Sequence, residues 1–299
     1  MLEAVPNVSE GRNGAVIATI ERAFARDARV LDVHSDPDHH RAVFTLVGEA
    51  GALTEALLEG ISEAIAAVDL RAHTGAHPRV GVVDVVPVVP FPHDDMELAK
   101  ATAHALAGRI GAELGLPVFH YGEIGSGRRP AYFRNGGLEE LQRRVEVGEL
   151  VPDAGPRRLD PRSGAVLVGA RRALIAYNLV LDSGDLDIAR DIAAVVRESG
   201  GGIPGVQAIG LYLPGSGRVQ VSMNVVDIER APLHDVVVRV RSEATLRGVA
   251  VSGGELVGLV PESVLRAARE AGVELPGIDE SRVLERAFGS GGATTRLGP

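Results

Sequence analysis

The sequence predicts an α/β (α+β) protein made of two α/β subdomains of related topology. Strand-like and helix-like segments alternate along the 299-residue chain, which is long enough for two hydrophobic cores. Both halves of the chain show a similar rhythm of these segments. Aromatic residues make up only 3% and Trp is absent, so Val, Ala and Leu must build the cores, as is typical of α/β packing.

The first subdomain, residues 1–173, is expected to alternate strands and helices. A short strand near "EAVPNV" precedes the helix "GAVIATIERAFARD", and two further strands, "RVLDV" and "RAVFTLVG", are joined by the polar loop "HSDPDHH". A helix then spans residues 52–68, and a strand follows residue 77. The acidic start and glycine end of "DDMELAKATAHALAGRIGAELG" predict another helix, and "PVFHYG" predicts the next strand.

The second subdomain, residues 174–289, shows the element order β-α-β-β-α-β of a ferredoxin-like arrangement. Its strands are "ALIAYNLVL", "VQAIGLYL", "RVQVSMNVVD" and "VAVSGGELVGLV", and its helices are "LDIARDIAAVVRES" and "PLHDVVVRVRSEATLRG". A further helix starts at Pro261, and residues 290–299 are expected to form a disordered tail. Four apolar residues of the third strand alternate with polar ones and predict one buried face: Val219, Val221, Met223 and Val225.

Composition and charge exclude several classes of function. A net charge of −9 and a pI near 5.5 argue against a nucleic-acid-binding or membrane-surface protein. The absence of Cys removes disulfides, thiolate metal ligands and cysteine nucleophiles. The N-terminal residues predict no signal peptide, and no apolar run of about twenty residues predicts a membrane span. We expect a cytoplasmic protein, in which a local basic pocket could bind an anionic small molecule.

Polar side chains concentrate in the stretch "HSDPDHHR", between two predicted strands of the first subdomain. The stretch combines three histidines and two aspartates: His34, Asp36, Asp38, His39 and His40. Asp-Pro and Pro-Asp steps favour turns. The stretch is therefore consistent with a solvated loop as well as with a functional site.

Two histidines four residues apart, His73 and His77, allow three interpretations. Their spacing matches a helical metal site to which the aspartates of the preceding loop could add ligands, but Gly75 and Pro78 oppose a helix there. Alternatively, His77 is an acid–base residue, because Pro78 restricts the backbone at this junction of loop and strand. The third interpretation is a structural histidine whose hydrogen bonds are satisfied within the fold.

A basic stretch rich in glycine and proline, "GPRRLDPRSGA", lies near the boundary between the subdomains, where small-molecule sites often form. Its arginines, Arg157, Arg158 and Arg162, carry guanidinium forks that bind carboxylates in a bidentate way. An ordinary basic linker is the alternative.

Several stretches taken together resemble the glutamate formiminotransferase family, which includes the transferase part of formiminotransferase–cyclodeaminase. They cover the chain from about residue 3 to about residue 288, and in order they read "VPNVSEGRN", "LDVHSDPDHHRAVFTLVG", "HTGAHPRVGVVDVVPVVP", "VFHYGE", "GARRALIAYN", "VQAIGLYL", "QVSMNVVDIERAPLH" and "ELVGLVP". The resemblance implies a folate-binding groove between two α/β subdomains, and a homodimer. It also implies transfer of a formimino group from N-formimino-L-glutamate to N5 of tetrahydrofolate, the co-substrate, in histidine degradation and without a metal.

The resemblance also assigns site residues. His77 corresponds to the catalytic histidine, and the folate-contacting stretch corresponds to ten residues: Gly155, Pro156, Arg157, Arg158, Leu159, Asp160, Pro161, Arg162, Ser163 and Gly164. The chain departs from the family pattern at His34, where an aspartate is expected, and at His40 and Leu138. We expect nearby Asp32 or Asp36 to supply the missing charge, and we favour Asp36, which lies two residues on; His34 and Asp36 then join His77 in the catalytic set.

These departures leave other functions open. One is a related folate-dependent one-carbon transferase with another donor, and a second is a folate-binding protein without turnover. A third is a metal-dependent hydrolase built on the His/Asp cluster.

Overall fold

A computed structural model describes residues 1–75, 78–91, 95–290 and 294–297 of the chain. Its backbone contacts divide these residues into two compact units. The first unit comprises Met1–Arg172 with the strand at 294–297, and the second unit begins at Ala173. The mixed α/β class predicted from the sequence is confirmed, since helices pack on β-sheets in both units.

The first unit contains seven strands and five α-helices before Arg172, among the described residues. The strands are β1 (Leu2–Ala4), β2 (Asn7–Val8), β3 (Arg29–Asp36), β4 (Arg41–Gly48), β5 (Val83–Pro90), β6 (Val118–Gly122) and β7 (Val166–Ala170). The helices are α1 (Gly14–Phe24), α2 (Ala50–Ala67), α3 (Met96–Glu113), α4 (Pro130–Arg134) and α5 (Gly137–Glu146). The strands form one sheet in the order β3-β4-β1-β5-β7-β6, with β2 paired to β4 and β5.

Two apolar clusters build the core of the first unit, one for each face of the sheet. Helices α1, α2 and α3 supply one face, on which fully buried side chains meet: Ile20, Val33, Phe44, Leu57, Val86 and Leu106. Helices α4 and α5 supply the smaller cluster with strands β6 and β7: Phe119, Phe133, Leu141, Leu159 and Leu167. The side chains of Asn13 and Asp95 cap α1 and α3 by accepting backbone N–H bonds of the first turn.

The second unit contains four strands and four α-helices within its described residues. They are β8 (Ile175–Leu181), α6 (Leu186–Val196), β9 (Val206–Leu213), β10 (Arg218–Val225), α7 (Leu233–Leu246), β11 (Val251–Val257), α8 (Glu262–Glu270) and α9 (Leu284–Ser290). The strands pair antiparallel in the order β11-β8-β10-β9. The alternation predicted for β10 is confirmed, because all four of its apolar residues are buried in one cluster: Val219, Val221, Met223 and Val225.

The structure differs from the sequence-based expectation at the polar stretch of residues 34–40. We expected a loop, whereas β3 continues through Asp36, with His34 opposite Val43 and Asp36 opposite Arg41 on β4. Only residues 37–40 form the turn. The expectation was wrong because local Asp and Pro preferences for a turn are overridden here by the hydrogen-bonded ladder to β4.

A last strand, β12 (Thr294–Leu297), runs parallel to β3 at the edge of the first sheet. The expectation of a disordered tail at 290–299 also concerns residues 291–293 and 298–299, which lie outside those described. Within the described part of the chain, no helix combines the length and the apolar character needed to cross a membrane.

Candidate functional site

The turn between β3 and β4 is fixed by the carboxylate of Asp36. Oδ1 accepts the backbone N–H of Asp38 at 2.8 Å and that of His39 at 2.9 Å, and Oδ2 pairs with Nδ1 of the buried His39 ring. Burial raises the pKa of Asp36, but the bonds from His39 and Asp38 outweigh it and lower the pKa to about 2. Asp36 is therefore a carboxylate that holds the shape of the turn.

His40, the last residue of this turn, adopts the left-handed conformation with φ of 49°. A β-carbon makes this conformation unfavourable, so surrounding contacts must hold it. The backbone N–H of Gly11 donates to His40 Nδ1 at 3.1 Å, while Glu10 Oε1 lies 3.6 Å from the same nitrogen. Burial lowers the pKa of His40. We therefore assign a neutral ring whose Nδ1 accepts from Gly11, rather than an ion pair with Glu10.

His73 and Arg79 connect the next segment of the chain to this turn. The His73 ring stacks on His40 with 4.0 Å between ring centroids. Arg79 Nη2 donates to the carbonyl of His39 at 2.9 Å, and Nη1 donates to that of His40 at 3.1 Å. Nη1 also lies 2.7 Å from His73 Nε2. An arginine only donates, so Nε2 is the acceptor in this contact, and His73 is neutral. Nε2 therefore does not donate to the carbonyl oxygen of His40, which lies 3.0 Å away and bonds to Arg79 instead.

The pKa of His73 is lowered to about 4, mainly because the ring is partly buried and also because the positive charge of Arg79 lies beside it. This agrees with the neutral tautomer assigned from the hydrogen bond. Gly75 allows the close approach of the two segments, because a β-carbon there would lie 2.5 Å from the carbonyl oxygen of His39 and 2.6 Å from Arg79 Nη2.

His77, the histidine assigned by resemblance, lies with Ala76 outside the described residues. The flanking residues His73 and Arg79 both contact the β3–β4 turn. His73 follows a 3-10 helix at Leu70–Ala72 and has extended backbone angles, so it does not begin a helix through the motif. The structure describes no group of three or more His, Cys, Asp or Glu residues that could hold a metal, in the ranges given above.

The segment 155–164 passes beside the strand residues that follow Arg79. The backbone N–H of Val82 donates to the carbonyl of Ser163 at 2.9 Å. Gly164 has φ of 73°, and a β-carbon there would lie 2.2 Å from the carbonyl oxygen of Val80. At the other end of the segment Gly155 has φ of 79°, and a β-carbon there would lie 2.0 Å from the carbonyl oxygen of Leu116. Leu159 is buried in the smaller apolar cluster, so the segment is anchored at both ends and near its middle.

The three arginines of this segment differ in their contacts. Arg162 Nη2 donates to the carbonyl of Ala66 near the end of α2 at 2.9 Å, so its side chain is engaged within the fold. Arg157 and Arg158 are exposed, and their side chains form no hydrogen bond or ion pair with the rest of the described chain. These two guanidinium groups are therefore available to a ligand.

A cavity of about 240 Å³ joins these elements. His73, Gly75 and Arg79 line one part, Pro161 of the 155–164 segment lines another, and the remaining wall is apolar: Leu70, Val80 and Leu138. The structure thus brings His73, Gly75 and Arg79 to one place with Pro161 of the 155–164 segment. His34 lies on β3, half-buried, two residues before Asp36.

Sequence reasoning alone did not identify Arg79 and Gly11 as partners of the β3–β4 turn. Arg79 bonds to the turn across 40 residues of chain, and Gly11 bonds to His40 across 29 residues. The sequence signal for them is indirect: both residues lie in stretches that resemble the family, "VPNVSEGRN" and "HTGAHPRVG".

Comparison with known proteins identifies the family. Residues 1–171 match the model of the formiminotransferase domain, N-terminal subdomain, and residues 176–274 match the formiminotransferase domain. The chain is 37% identical to a glutamate formimidoyltransferase of Thermoplasma acidophilum, over 96% of each chain. It is 36% identical to one of Streptococcus pyogenes, over 95% of this chain and 97% of the relative.

A longer relative matches as well. The formimidoyltransferase-cyclodeaminase of Gallus gallus is 40% identical over 90% of this chain, which corresponds to 52% of the relative. With both family models matched and with relatives above 30% identity along nearly its whole length, this chain belongs to the formiminotransferase family.

Proposed function

We propose that this protein is a glutamate formimidoyltransferase, which moves a formimino group from N-formimino-L-glutamate to N5 of tetrahydrofolate. The observation that carries the proposal is the convergence of His73, Arg79 and Pro161 on one cavity, in a chain of this family. The two relatives named glutamate formimidoyltransferase, which match along nearly their full length, support the same activity.

The reaction is an amine exchange at an amidine carbon. N5 of tetrahydrofolate attacks that carbon and forms a tetrahedral intermediate, a proton leaves N5, and another proton reaches the departing nitrogen. The bond between carbon and that nitrogen then breaks and releases L-glutamate. We assign both proton transfers to His77, because one positioned imidazole can accept and donate in turn. Binding two substrates side by side supplies a further part of the rate.

We assign supporting roles to the β3–β4 hairpin. The ionised carboxylate of Asp36 supplies a fixed negative charge in the β3–β4 turn. Its bonds to His39 and to the backbone of the turn favour a role in positioning the turn residues. His34 is the residue that motivates the second candidate, a transferase with another one-carbon donor, since an imidazole cannot hold a full negative charge in place of a carboxylate.

We assign folate binding to the segment 155–164, with Arg157 and Arg158 as the groups that meet the carboxylates of tetrahydrofolate. Their exposure and unengaged guanidinium groups support this assignment. Histidine degradation, a cytoplasmic location and a homodimer complete the proposal.

One assay tests the proposal against its alternatives. Purified protein is mixed with N-formimino-L-glutamate and tetrahydrofolate, with and without a chelator, while L-glutamate release and folate absorbance are followed. Turnover that the chelator leaves unchanged supports the proposed function. Folate binding without turnover indicates a binding protein, and turnover abolished by the chelator indicates a metal-dependent enzyme. Activity with another one-carbon donor, and none with N-formimino-L-glutamate, indicates the second candidate, a transferase that uses that donor.

A further inference from the structure

Two histidines of the first unit contact each other on the face of the sheet that α3 covers. His120 lies on the edge strand β6, and His104 is an exposed residue of α3. Their ring centroids are 4.9 Å apart, and the rings are inclined at 79°. Since side chains alternate along a strand, His120 shares its face with Val118 of the larger apolar cluster. Val80 and Leu138 of the cavity belong to the smaller cluster on the other face, so the histidine pair is separate from the candidate functional site.

The carboxylate of Asp153 determines which ring nitrogen of His120 is left to bind another group. Oδ2 accepts the backbone N–H of His120 at 2.7 Å, which fixes the carboxylate at the edge of β6. Oδ1 lies 3.6 Å from Nδ1 of the same ring. A negative charge beside Nδ1 favours the tautomer that carries its proton on this nitrogen, so the lone pair is on Nε2.

Nε2 of His120 is buried and has no hydrogen-bond partner within the described ranges of the chain. Such an atom requires an explanation, because buried polar atoms are nearly always hydrogen-bonded. Burial lowers the pKa of His120, while the nearby Asp153 opposes this shift and His104 adds to it. The ring is therefore neutral at neutral pH, which is the form in which imidazole binds a metal ion.

The separation of the two rings matches that of two imidazoles bound to one metal ion. With a metal–nitrogen distance of about 2.0–2.1 Å and tetrahedral angles, the centroids of two bound rings lie roughly 5 Å apart, and those of His104 and His120 are 4.9 Å apart. Imidazole nitrogens suit Zn²⁺ and Cu²⁺, whereas Mg²⁺ and Ca²⁺ prefer oxygen. Because the described residues contain no group of three protein ligands, water would complete the coordination.

We propose that His104 and His120 form a transition-metal site that binds Zn²⁺ or Cu²⁺ through two imidazole nitrogens, with Asp153 as a positioning residue. The inference is independent of the proposed function, whose residues lie on the other face of the sheet. Asp153 is followed by Ala154, whose carbonyl accepts the backbone N–H of Val118 at 2.9 Å, and then by the segment 155–164. A bound ion ties α3 to β6 beside the start of that segment.

Calorimetric titration with Zn²⁺ of matched glutamine variants tests the proposal. His104→Gln and His120→Gln each keep a polar side chain but remove one ligand nitrogen, so each should raise the dissociation constant of this site about tenfold or more. His234→Gln, the control in the second unit, should leave the titration unchanged. Histidines of the β3–β4 turn can bind Zn²⁺ as well, so the site is assigned from the difference between wild type and each variant.

A further variant tests the positioning role of Asp153. Asp153→Asn keeps an acceptor for the backbone N–H of His120 but removes the negative charge beside Nδ1. We expect it to weaken Zn²⁺ binding about tenfold, the lower end of the usual effect of a group that orients a metal ligand. Its unfolding free energy without metal should equal that of wild type, which separates a role in metal binding from a structural one.

Other outcomes overturn the inference. Equal stoichiometry and affinity for Zn²⁺ in wild type and in both glutamine variants would show that the pair binds no metal, as would wild-type protein that binds no Zn²⁺. A loss in only one of the two variants would show that the rings do not share an ion. An unchanged affinity in Asp153→Asn would remove its positioning role. His104 is exposed, so His104→Gln decides the question even if His120→Gln does not fold.

Discussion

The two units of this protein share an arrangement of four strands but differ in one turn, which joins β3 to β4 in the first unit and β9 to β10 in the second. In the first unit β3, β4, β1 and β5 have the neighbour order that β9, β10, β8 and β11 have in the second, and all these pairs are antiparallel. Each turn has four residues and begins with proline, "PDHH" at 37–40 and "PGSG" at 214–217. The topology is therefore common to both units, and the chemistry is not.

The last position of each turn shows the difference most clearly. Gly217 has φ of 67°, a conformation that glycine adopts without cost, whereas the equivalent His40 has φ of 49°. The His40 ring contacts Gly11 and His73, which hold the residue in this conformation. Eight of the nine histidines lie in the first unit. The first turn therefore holds imidazole rings in fixed contacts, whereas the second turn, "PGSG", contains no histidine.

The largest difference between the units is expected on removing a histidine from each. His77→Ala should lower kcat about 100-fold or more, because general acid–base catalysis contributes roughly that factor. His234→Ala, the control in the second unit, should leave kcat unchanged. Steady-state kinetics and circular dichroism provide the measurement, and a folded His77→Ala variant with normal turnover would remove His77 from the mechanism.

A second comparison concerns two glycines with left-handed backbone. Gly164→Ala should cost about 3 kcal/mol of unfolding free energy, since strain of the left-handed backbone adds to the clash with the Val80 carbonyl oxygen. Gly217→Ala should cost about 1 kcal/mol, because it has the strain without a close contact. Urea denaturation distinguishes the two, and equal losses would show that the segment 155–164 is not fixed by this contact.

Exposed arginines of the first unit and of the second unit should differ in their effect on folate binding. At least one of Arg157→Ala and Arg158→Ala should weaken tetrahydrofolate binding by about 1.5–3 kcal/mol, the usual range for a hydrogen bond to a charged group. Arg218→Ala, after the turn of the second unit, should have no effect. Calorimetric titration gives the dissociation constants. Normal affinity in both single variants would make the segment a linker rather than a binding site.

The carboxylate in the first turn should give a pH-dependent contribution to stability. Asp36→Asn should lower the unfolding free energy at pH 7 by about 1–2 kcal/mol, because Asp36 loses its charge-assisted bonds, while Ser216→Ala in the other turn should change it little. The pKa of Asp36 is about 2, below its ordinary value of 3.8. Its contribution is therefore complete above pH 4 and is lost as the pH falls towards 2. A gap between wild type and Asp36→Asn that stays constant from pH 5 to pH 2 would contradict this assignment.

The smallest effect is expected at His40, and its sign is informative. His40→Gly and His40→Ala lose the same ring contacts, but only glycine relieves the left-handed strain. We expect His40→Gly to be more stable than His40→Ala by about 1 kcal/mol in urea denaturation. Alanine as the more stable variant would show that the strain at His40 is absent.

Much of the fold follows from local patterns in the sequence. Strand β9 has the bounds that "VQAIGLYL" predicts, and the alternation in β10 assigns its buried face correctly. These features are predictable because apolar period and turn residues act within a few positions of one another. The length of β3 could not be predicted in this way, because its last residues form a strand only by pairing with β4.

The candidate site was only partly predictable for a related reason. The many His and Asp residues in 34–40 indicate a candidate site, but the residues that contact this turn lie far away along the chain. Arg79 holds two carbonyl groups of the turn, and this contact depends on Gly75 leaving room for the guanidinium. No local pattern encodes such an approach, since it arises only when the two segments are packed together.

The anchoring of residues 155–164 bears on how substrate preference can change in evolution or in the laboratory. Gly155, Leu159 and Gly164 carry the contacts with the fold, whereas residues 156–158 are exposed between them. Because the side chains at those three positions support nothing beneath them, changes there should leave the fold intact and alter only the folate binding proposed for this segment. A library of variants confined to them would keep its folded fraction, so that selection would act on the proposed folate binding alone.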